Sequence, residues 1–228
     1  ETSPIISSEV FETLAKGDAA CAWVAFIAAT SGSALARIET SVARQMFSTP
    51  ETMIAGVFAP NGEAIKAEDD YVLNGHWQWG SGTQNADWVL AGSLLIDSQQ
   101  SSDTKPRAHM CLVPQSSVEF LDTWHSSGLK GTGSTDFRIN NCRVPSAHIV
   151  GLEVDKMPDT PLFQFPNFTL LALGIAAVSM GIARAALDNF VELAQAKKRS
   201  GSSVPIAERG HTQMQIAEAE ATSVSYTH

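Results

Sequence analysis

The residues that could do chemistry gather in the middle of the chain, at Trp77-Gln78-Trp79-Gly80-Ser81-Gly82. Aromatic surface stands there beside a hydroxyl set between two glycines. On an extended strand Trp77 and Trp79 share one face, and Trp88 follows beyond a short turn. Such rings are often core packing, since aromatics dominate burial energetics. They can equally form a ligand wall. Glycines on both sides of a serine let a flat molecule approach the backbone and leave one hydroxyl aimed at it. The residues alone leave both readings open.

Other candidates are weaker. Gly128-Leu129-Lys130-Gly131-Thr132-Gly133-Ser134-Thr135 is glycine-rich, but Lys130 precedes the last glycines and a strand is expected after it. A phosphate loop needs Lys after the last glycine and then a helix. Asp136 stands where a dinucleotide fingerprint wants its third glycine. The segment is either a tight turn or a ligand-lining loop. His109 and Cys111 share a strand face, and Cys142 lies on a later strand. A zinc site would want a fourth ligand and tighter spacing, so no metal site is expected and the thiols read as buried. His125 stands alone after Trp124, and no Ser/His/Asp arrangement emerges from spacing.

The elements that must position these residues fall into three blocks. Residues 8–47 read as helical. Asp18 caps Ala19–Thr30, Ser31-Gly32-Ser33 interrupts, and Ala34–Phe47 carries Leu35, Ile38, Val42 and Met46 on one stripe. Short β-type runs follow at Met53–Ala59, Tyr71–Leu73, His76–Trp79, Trp88–Leu95, His109–Val113, Val118–Leu121 and Asp136–Val144. Asn74-Gly75 reads as a two-residue hairpin and Asn61-Gly62 as another turn. A polar loop covers 98–106, and an irregular stretch holds Pro158, Pro161 and Pro166. Phe168–Lys198 is one long helix, rich in small residues first and amphipathic later, and Ile206–Thr222 is a further helix. The expected class is α+β with a central β barrel or sandwich.

The 228 residues are 44% hydrophobic and 17% charged, which suits a globular protein with a sizeable core. A net charge of −9 argues against sequence-blind nucleic-acid binding. Three scattered cysteines give no disulfide framework and favour a reducing, cytoplasmic setting. The start shows no signal peptide, and the apolar runs Ala19–Ala29 and Phe168–Ala183 fall short of the ~18 residues of a membrane span, so no membrane is expected.

Tyr71-Val72-Leu73-Asn74-Gly75, Trp79-Gly80-Ser81-Gly82, Trp88, Asp122-Thr123-Trp124, Gly128–Ser134 and Arg143-Val144-Pro145 together resemble the acyl-CoA dehydrogenase superfamily. Within it the chain is most similar to the flavin-dependent monooxygenases, the oxygenase components of two-component aromatic hydroxylases. The Thr-Glu-Pro segment of the dehydrogenases is replaced by Phe58-Ala59-Pro60, which points to the hydroxylase branch. The resemblance implies the end of an N-terminal helical domain over 1–49, a β-barrel domain over 50–152 and the beginning of a C-terminal helical domain over 153–228. It also implies that family members are longer and that the tail 223–228 departs from their pattern.

By the same resemblance Ser81 would be catalytic, donating near the flavin N5 atom. Trp79 and Gly80 would flank the ring, Val57 and Phe58 would line its pyrimidine side, Lys198 or Arg199 would reach cofactor phosphate, and Trp23 would face substrate. The implied reaction uses reduced FMN or FAD (FMNH2 or FADH2) from a separate flavin reductase. It passes oxygen through a flavin hydroperoxide to a small aromatic substrate, in a homo-oligomer, as a tetramer. The rival readings are an acyl-CoA dehydrogenase-type flavin oxidoreductase and an inactive truncated remnant.

Overall fold

A computed structural model describes residues 3–97, 106–151 and 161–225. Most of the polar loop, Pro158 and the last three residues of the tail lie outside them. The chain opens with α1 (Pro4–Gly17), with Ser3 as its cap and proline in the first turn, where a missing N–H costs nothing. The Asp18 carboxylate then accepts from the Ala20 and Cys21 amides at 2.8 and 2.9 Å and starts α2 (Ala19–Gly32), as expected. The helix expected over 34–47 is broken. A 3-10 turn spans Ser33–Arg37, Ile38 is extended, and α3 is only Thr40–Met46. Its apolar stripe survives the break: Leu35, Ile38 and Met46 bury in one cluster with Val42 beside them.

Among the described residues seven strands follow: β1 (Ile54–Ala67), β2 (Asp70–Trp77), β3 (Trp88–Ile96), β4 (Arg107–Pro114), β5 (Glu119–Leu121), β6 (Asp136–Pro145) and β7 (Ile149–Gly151). They form one sheet in the order β5-β6-β2-β1-β3-β4-β7, with β1 and β3 parallel and the other pairs antiparallel. One face buries Leu73, Trp77, Val89, Cys111, Phe137 and Val144 around a common interior. The other packs Ile54, Leu90, Met110 and Leu112 under the helical residues Leu35 and Met46.

Two expected turns are strand interior. Asn74-Gly75 lies within β2, opposite Glu63 and Gly62 of β1, at an irregularity in the pairing with β6. Asn61-Gly62 lies within β1, where the register with β3 jumps from Val57↔Ala91 to Gly62↔Ser93. Here glycine and asparagine mark bulges rather than chain reversals. The β1–β2 reversal sits at Glu68-Asp69, where Glu68 takes φ 58° and Ala67 faces Asp70. Arg143 of β6 fastens it, with Nε donating to Asp70 at 2.7 Å.

The chain then enters α4 (Pro161–Gln164), α5 (Asn167–Ala196) and α6 (Gly210–Ser225). The first and last parts of the chain share one core, in which Phe11, Ala15, Ala22 and Phe26 pack with Ala177 and Val178 of α5. Small residues make this possible. A Cβ on Gly174 would run into the Phe26 ring, and one on Gly181 into the Glu12 carbonyl. Arg184 of α5 grips Glu220 of α6 in a bidentate pair at 2.7 and 2.8 Å. By length and composition Ala19–Arg37 and Phe168–Ala196 are each apolar enough to cross a membrane, which corrects the shorter runs read above. Both contribute to the helical core, where apolar faces of such helices are buried.

Candidate functional site

The β2 strand stops at Trp77, and this decides the fate of the two tryptophans. Trp77 turns inward, fully buried, stacks on Phe137 at 5.1 Å and donates its indole N–H to the Gly92 carbonyl at 2.7 Å. Trp79 lies beyond the strand end with φ 60°, so it no longer shares the Trp77 face and stands 70% exposed. An L-residue pays for that backbone conformation, which is uncommon outside glycine.

The flanking glycines serve the chain's own packing. The Cβ direction of Gly80 is occupied by Phe137 and by the Thr83 hydroxyl, each 2.8 Å away, and Gly82 takes φ 73°. The ligand-approach reading of these glycines therefore yields to close internal contact. The serine between them is another matter. The Gly80 and Gly82 amides donate to the Thr135 and Thr132 carbonyls, both at 2.9 Å, and clamp this segment onto the glycine-rich turn.

Ser81 is thereby held 7% exposed, with its hydroxyl in a chain of hydrogen bonds. The Trp23 indole N–H of α2 donates to Ser81 Oγ at 3.0 Å. Ser81 Oγ lies 2.7 Å from Ser134 Oγ, which lies 2.6 Å from Thr132 Oγ1. Thr132 donates to the Leu129 carbonyl at 2.9 Å.

A cavity of about 300 Å³ opens beside this chain, lined by Trp23, Trp79, Ser81 and Trp124 with Thr132 and Ser134. Three of the expected site residues, Trp23, Trp79 and Ser81, thus come together from positions 58 and 56 residues apart in sequence. Val57 and Phe58 do not line the cavity. Val57 packs toward the Trp77 side of the sheet and Phe58 toward the Leu90 side. Gly80 is buried and does not line the cavity. Lys198 is exposed past the end of α5, bridged to Pro205, about 25 Å of helix beyond Gly181. Thr132 and Ser134 were legible only as a turn or a ligand loop; the spacing of two hydroxyls two residues apart was the available signal.

The lining carries no charge, so it suits a flat, largely apolar ring with a polar edge. A larger cavity, about 740 Å³, lies elsewhere, between Ala176, Met180 and Leu187 of α5 and Gln215 and Ala219 of α6. It is a groove between two helices with a mostly apolar lining. Among the described residues no three His, Cys, Asp or Glu side chains gather to hold a metal. Burial pushes the Cys111 thiol up to about 11, so it stays protonated and inert at neutral pH.

Residues 173–223 match a family profile described as "Acyl-CoA dehydrogenase, C-terminal domain". The chain is 30% identical over 223 residues to indole-3-acetate monooxygenase of Acinetobacter baumannii, covering 97% of this chain and 56% of that protein. It is 28% identical over 232 residues to the oxygenase component of the FADH(2)-dependent resorcinol hydroxylase of Rhizobium sp., covering 94% and 56%. The crystal structure of the HsaA monooxygenase from M. tuberculosis superposes with a TM-score of 0.83 at 26% identity, covering 97% of this chain and 58% of that one. By fold the chain is acyl-CoA dehydrogenase-like. Its relatives are flavin-dependent oxygenase components of two-component hydroxylases. The chain spans little more than half the length of the curated relatives it matches.

Proposed function

We propose that the chain acts as the oxygenase component of a two-component flavin-dependent monooxygenase that hydroxylates a small aromatic molecule. One observation carries the reading: the buried Ser81 hydroxyl, held by the Trp23 indole, at the foot of a tryptophan-walled cavity. Relatives named as flavin-dependent oxygenases support it. Reduced flavin, FMNH2 or FADH2 delivered by a reductase, supplies two electrons, so that one atom of dioxygen enters the substrate and the other leaves as water.

The residues present fit the ring of such a cofactor. Trp79 and Trp124 offer faces to stack on and keep water out, which limits unproductive decay to peroxide. Ser81 offers its hydroxyl to the polar edge of the ring. Trp23 both holds Ser81 and presents its own ring toward substrate. Val57, Phe58 and Gly80 support the cofactor by fixing β1 and the Trp79–Gly82 segment. The cavity has no cation for a phosphate, so Lys198 serves that end of the cofactor in a neighbouring copy of a homo-oligomer, a tetramer. Exposed apolar side chains along α5, such as Phe168, Ile175 and Ile182, support such helix-to-helix assembly. The division into 1–49, 50–152 and 153–228 and a cytoplasmic location belong to the same reading.

The test supplies reduced FMN or FAD and oxygen to the chain with a panel of phenols and indoles. Hydroxylated product is expected, and Ser81→Ala should raise the share of oxygen released as peroxide. Losing one preorganised hydrogen bond costs on the order of 2–4 kcal/mol in comparable sites. An unchanged peroxide share removes Ser81 from the role. Reduction of bound oxidised flavin by acyl-CoA thioesters, without oxygenation, would replace the reading with a dehydrogenase.

A further inference from the structure

The hydroxyl chain has a direction, and its two ends decide it. At one end the Trp23 indole N–H can only donate, and it points at Ser81 Oγ. At the other end the Leu129 carbonyl can only accept, and Thr132 Oγ1 donates to it. Each hydroxyl between them has one proton. With Thr132 spent on Leu129, Ser134 gives its proton to Thr132, and Ser81 gives its proton to Ser134. Every proton of the chain then has an acceptor. The Ser81 proton points away from the cavity, and its remaining lone pair is the free valence that a ligand meets.

The chain can also run backwards. Thr132 then donates to Ser134, Ser134 to Ser81, and Ser81 into the cavity. Ser81 Oγ still accepts from Trp23. The Leu129 carbonyl loses the Thr132 hydroxyl but keeps the Thr132 amide at 3.1 Å and the Trp124 indole at 3.3 Å. Only the Ser81 proton then lacks a protein acceptor, so reversal in the empty cavity costs about one net hydrogen bond. The forward direction is the ground state, and the reversed one lies close above it.

This matters for a ring whose edge nitrogen gains a proton on reduction. Oxidised flavin presents a bare nitrogen, an acceptor; reduced flavin presents an N–H, a donor. Resting on the flavin reading above, we propose that Ser134 and Thr132 are positioning residues that set the direction of the Ser81 hydroxyl, so that the cavity favours reduced over oxidised flavin. The forward chain offers a lone pair to the N–H of the reduced ring. The oxidised ring is met by a donor only after the chain has reversed.

The experiment measures dissociation constants of FMN and FAD, oxidised and dithionite-reduced, by anaerobic ultrafiltration with the 228-residue chain. The wild type is expected to bind the reduced form more tightly. Ser134→Ala removes the acceptor of the Ser81 proton and releases that proton toward the cavity. It should shrink the oxidised-to-reduced ratio of dissociation constants by roughly three- to tenfold, the factor carried by one net hydrogen bond. Thr132→Val should shrink it less, and Ser134→Thr, which keeps a hydroxyl, should restore it. In a Ser81→Ala background Ser134→Ala should leave the ratio unmoved, because the effect passes through Ser81.

A merely structural Ser134 would weaken both redox forms by the same factor, and that result overturns the proposal while leaving flavin binding intact. Wild-type chain that retains neither form overturns both this proposal and the function it rests on. Should Ser134→Ala fail to fold, the Thr132→Val ratio decides alone, and an unchanged ratio there counts against the relay.

Discussion

At the scale of single residues, Trp79 holds the main tension of the site. Its ring stands in solvent, yet its backbone occupies the left-handed region, at a cost of roughly 1–2 kcal/mol for an L-residue. Strain of this kind persists where the surroundings over-determine it, and here the Gly80 and Gly82 amide clamps do so. Trp79→Gly should therefore stabilise the chain by up to about 1 kcal/mol in urea unfolding, after the entropic cost of glycine is deducted. The same variant should lose affinity for reduced flavin. A variant that is both weaker-folding and unchanged in flavin binding would count against the strained-wall account. The thiols give a second residue-scale expectation. Cys21 is exposed while Cys111 is buried with its thiol raised to about 11. A thiol reagent at pH 8 should label Cys21 quickly and reach Cys111 only on unfolding; rapid labelling of all three cysteines would mean that the β interior is open.

At the scale of elements, α5 is the helix on which the two ends of the chain meet. Its approach to α1 and α2 depends on Gly181 and Gly174. Alanine at Gly181 would gain about 1 kcal/mol of helix propensity but would press a methyl group against the Glu12 backbone, which cannot move aside as a side chain can. Overpacking of this sort typically costs about 1–3 kcal/mol, so Gly181→Ala should be destabilising overall. Gly32, at the end of α2 with open space around its Cβ direction, is the control, and Gly32→Ala should be neutral or stabilising. Equal effects at the two positions in chemical denaturation would show that α5 does not pack so closely. The long period of α5 and the Asp18 cap were legible beforehand because both rest on local backbone chemistry. The Glu68-Asp69 reversal was not. Asn74-Gly75 is the stronger local turn signal, but the pairing of β2 with both β1 and β6 absorbs it into a strand.

At the scale of the whole molecule, several carboxylates tie distant segments together. Arg143 beside Asp70 holds that carboxyl below its ordinary range, and Arg184 does the same to Glu220. The backbone amides of Cys21 and Ala20 lower Asp18. A carboxyl depressed in the folded state contributes stability above its unfolded pKa, and that stability is lost as pH falls through the folded value. The chain should therefore lose stability as pH drops below about 4, with α6 releasing early as Glu220 lets go of Arg184. Hydrogen exchange of the 210–225 amides at pH 7 and at pH 3.5, corrected for intrinsic rate, reads this directly. Protection that does not change would exclude the Arg184–Glu220 pair as the fastener of α6.

By itself the sequence determined the class of the fold and the three blocks of elements, and its resemblance to a family singled out Trp23, Trp79 and Ser81, which line one cavity. Composition, periodicity, caps and ordered motifs are properties of neighbouring residues and survive without coordinates. Tertiary structure alone decided that Trp77 goes to the core while Trp79 goes to the cavity. It also left Val57 and Phe58 out of the cavity lining, set Lys198 past the end of α5, and linked Ser81, Ser134 and Thr132 in one chain of hydroxyls. The physical reason is the same each time. A strand end, a bulge and a hydrogen-bond direction depend on partners tens of residues away, and local preference carries no record of where those partners will lie.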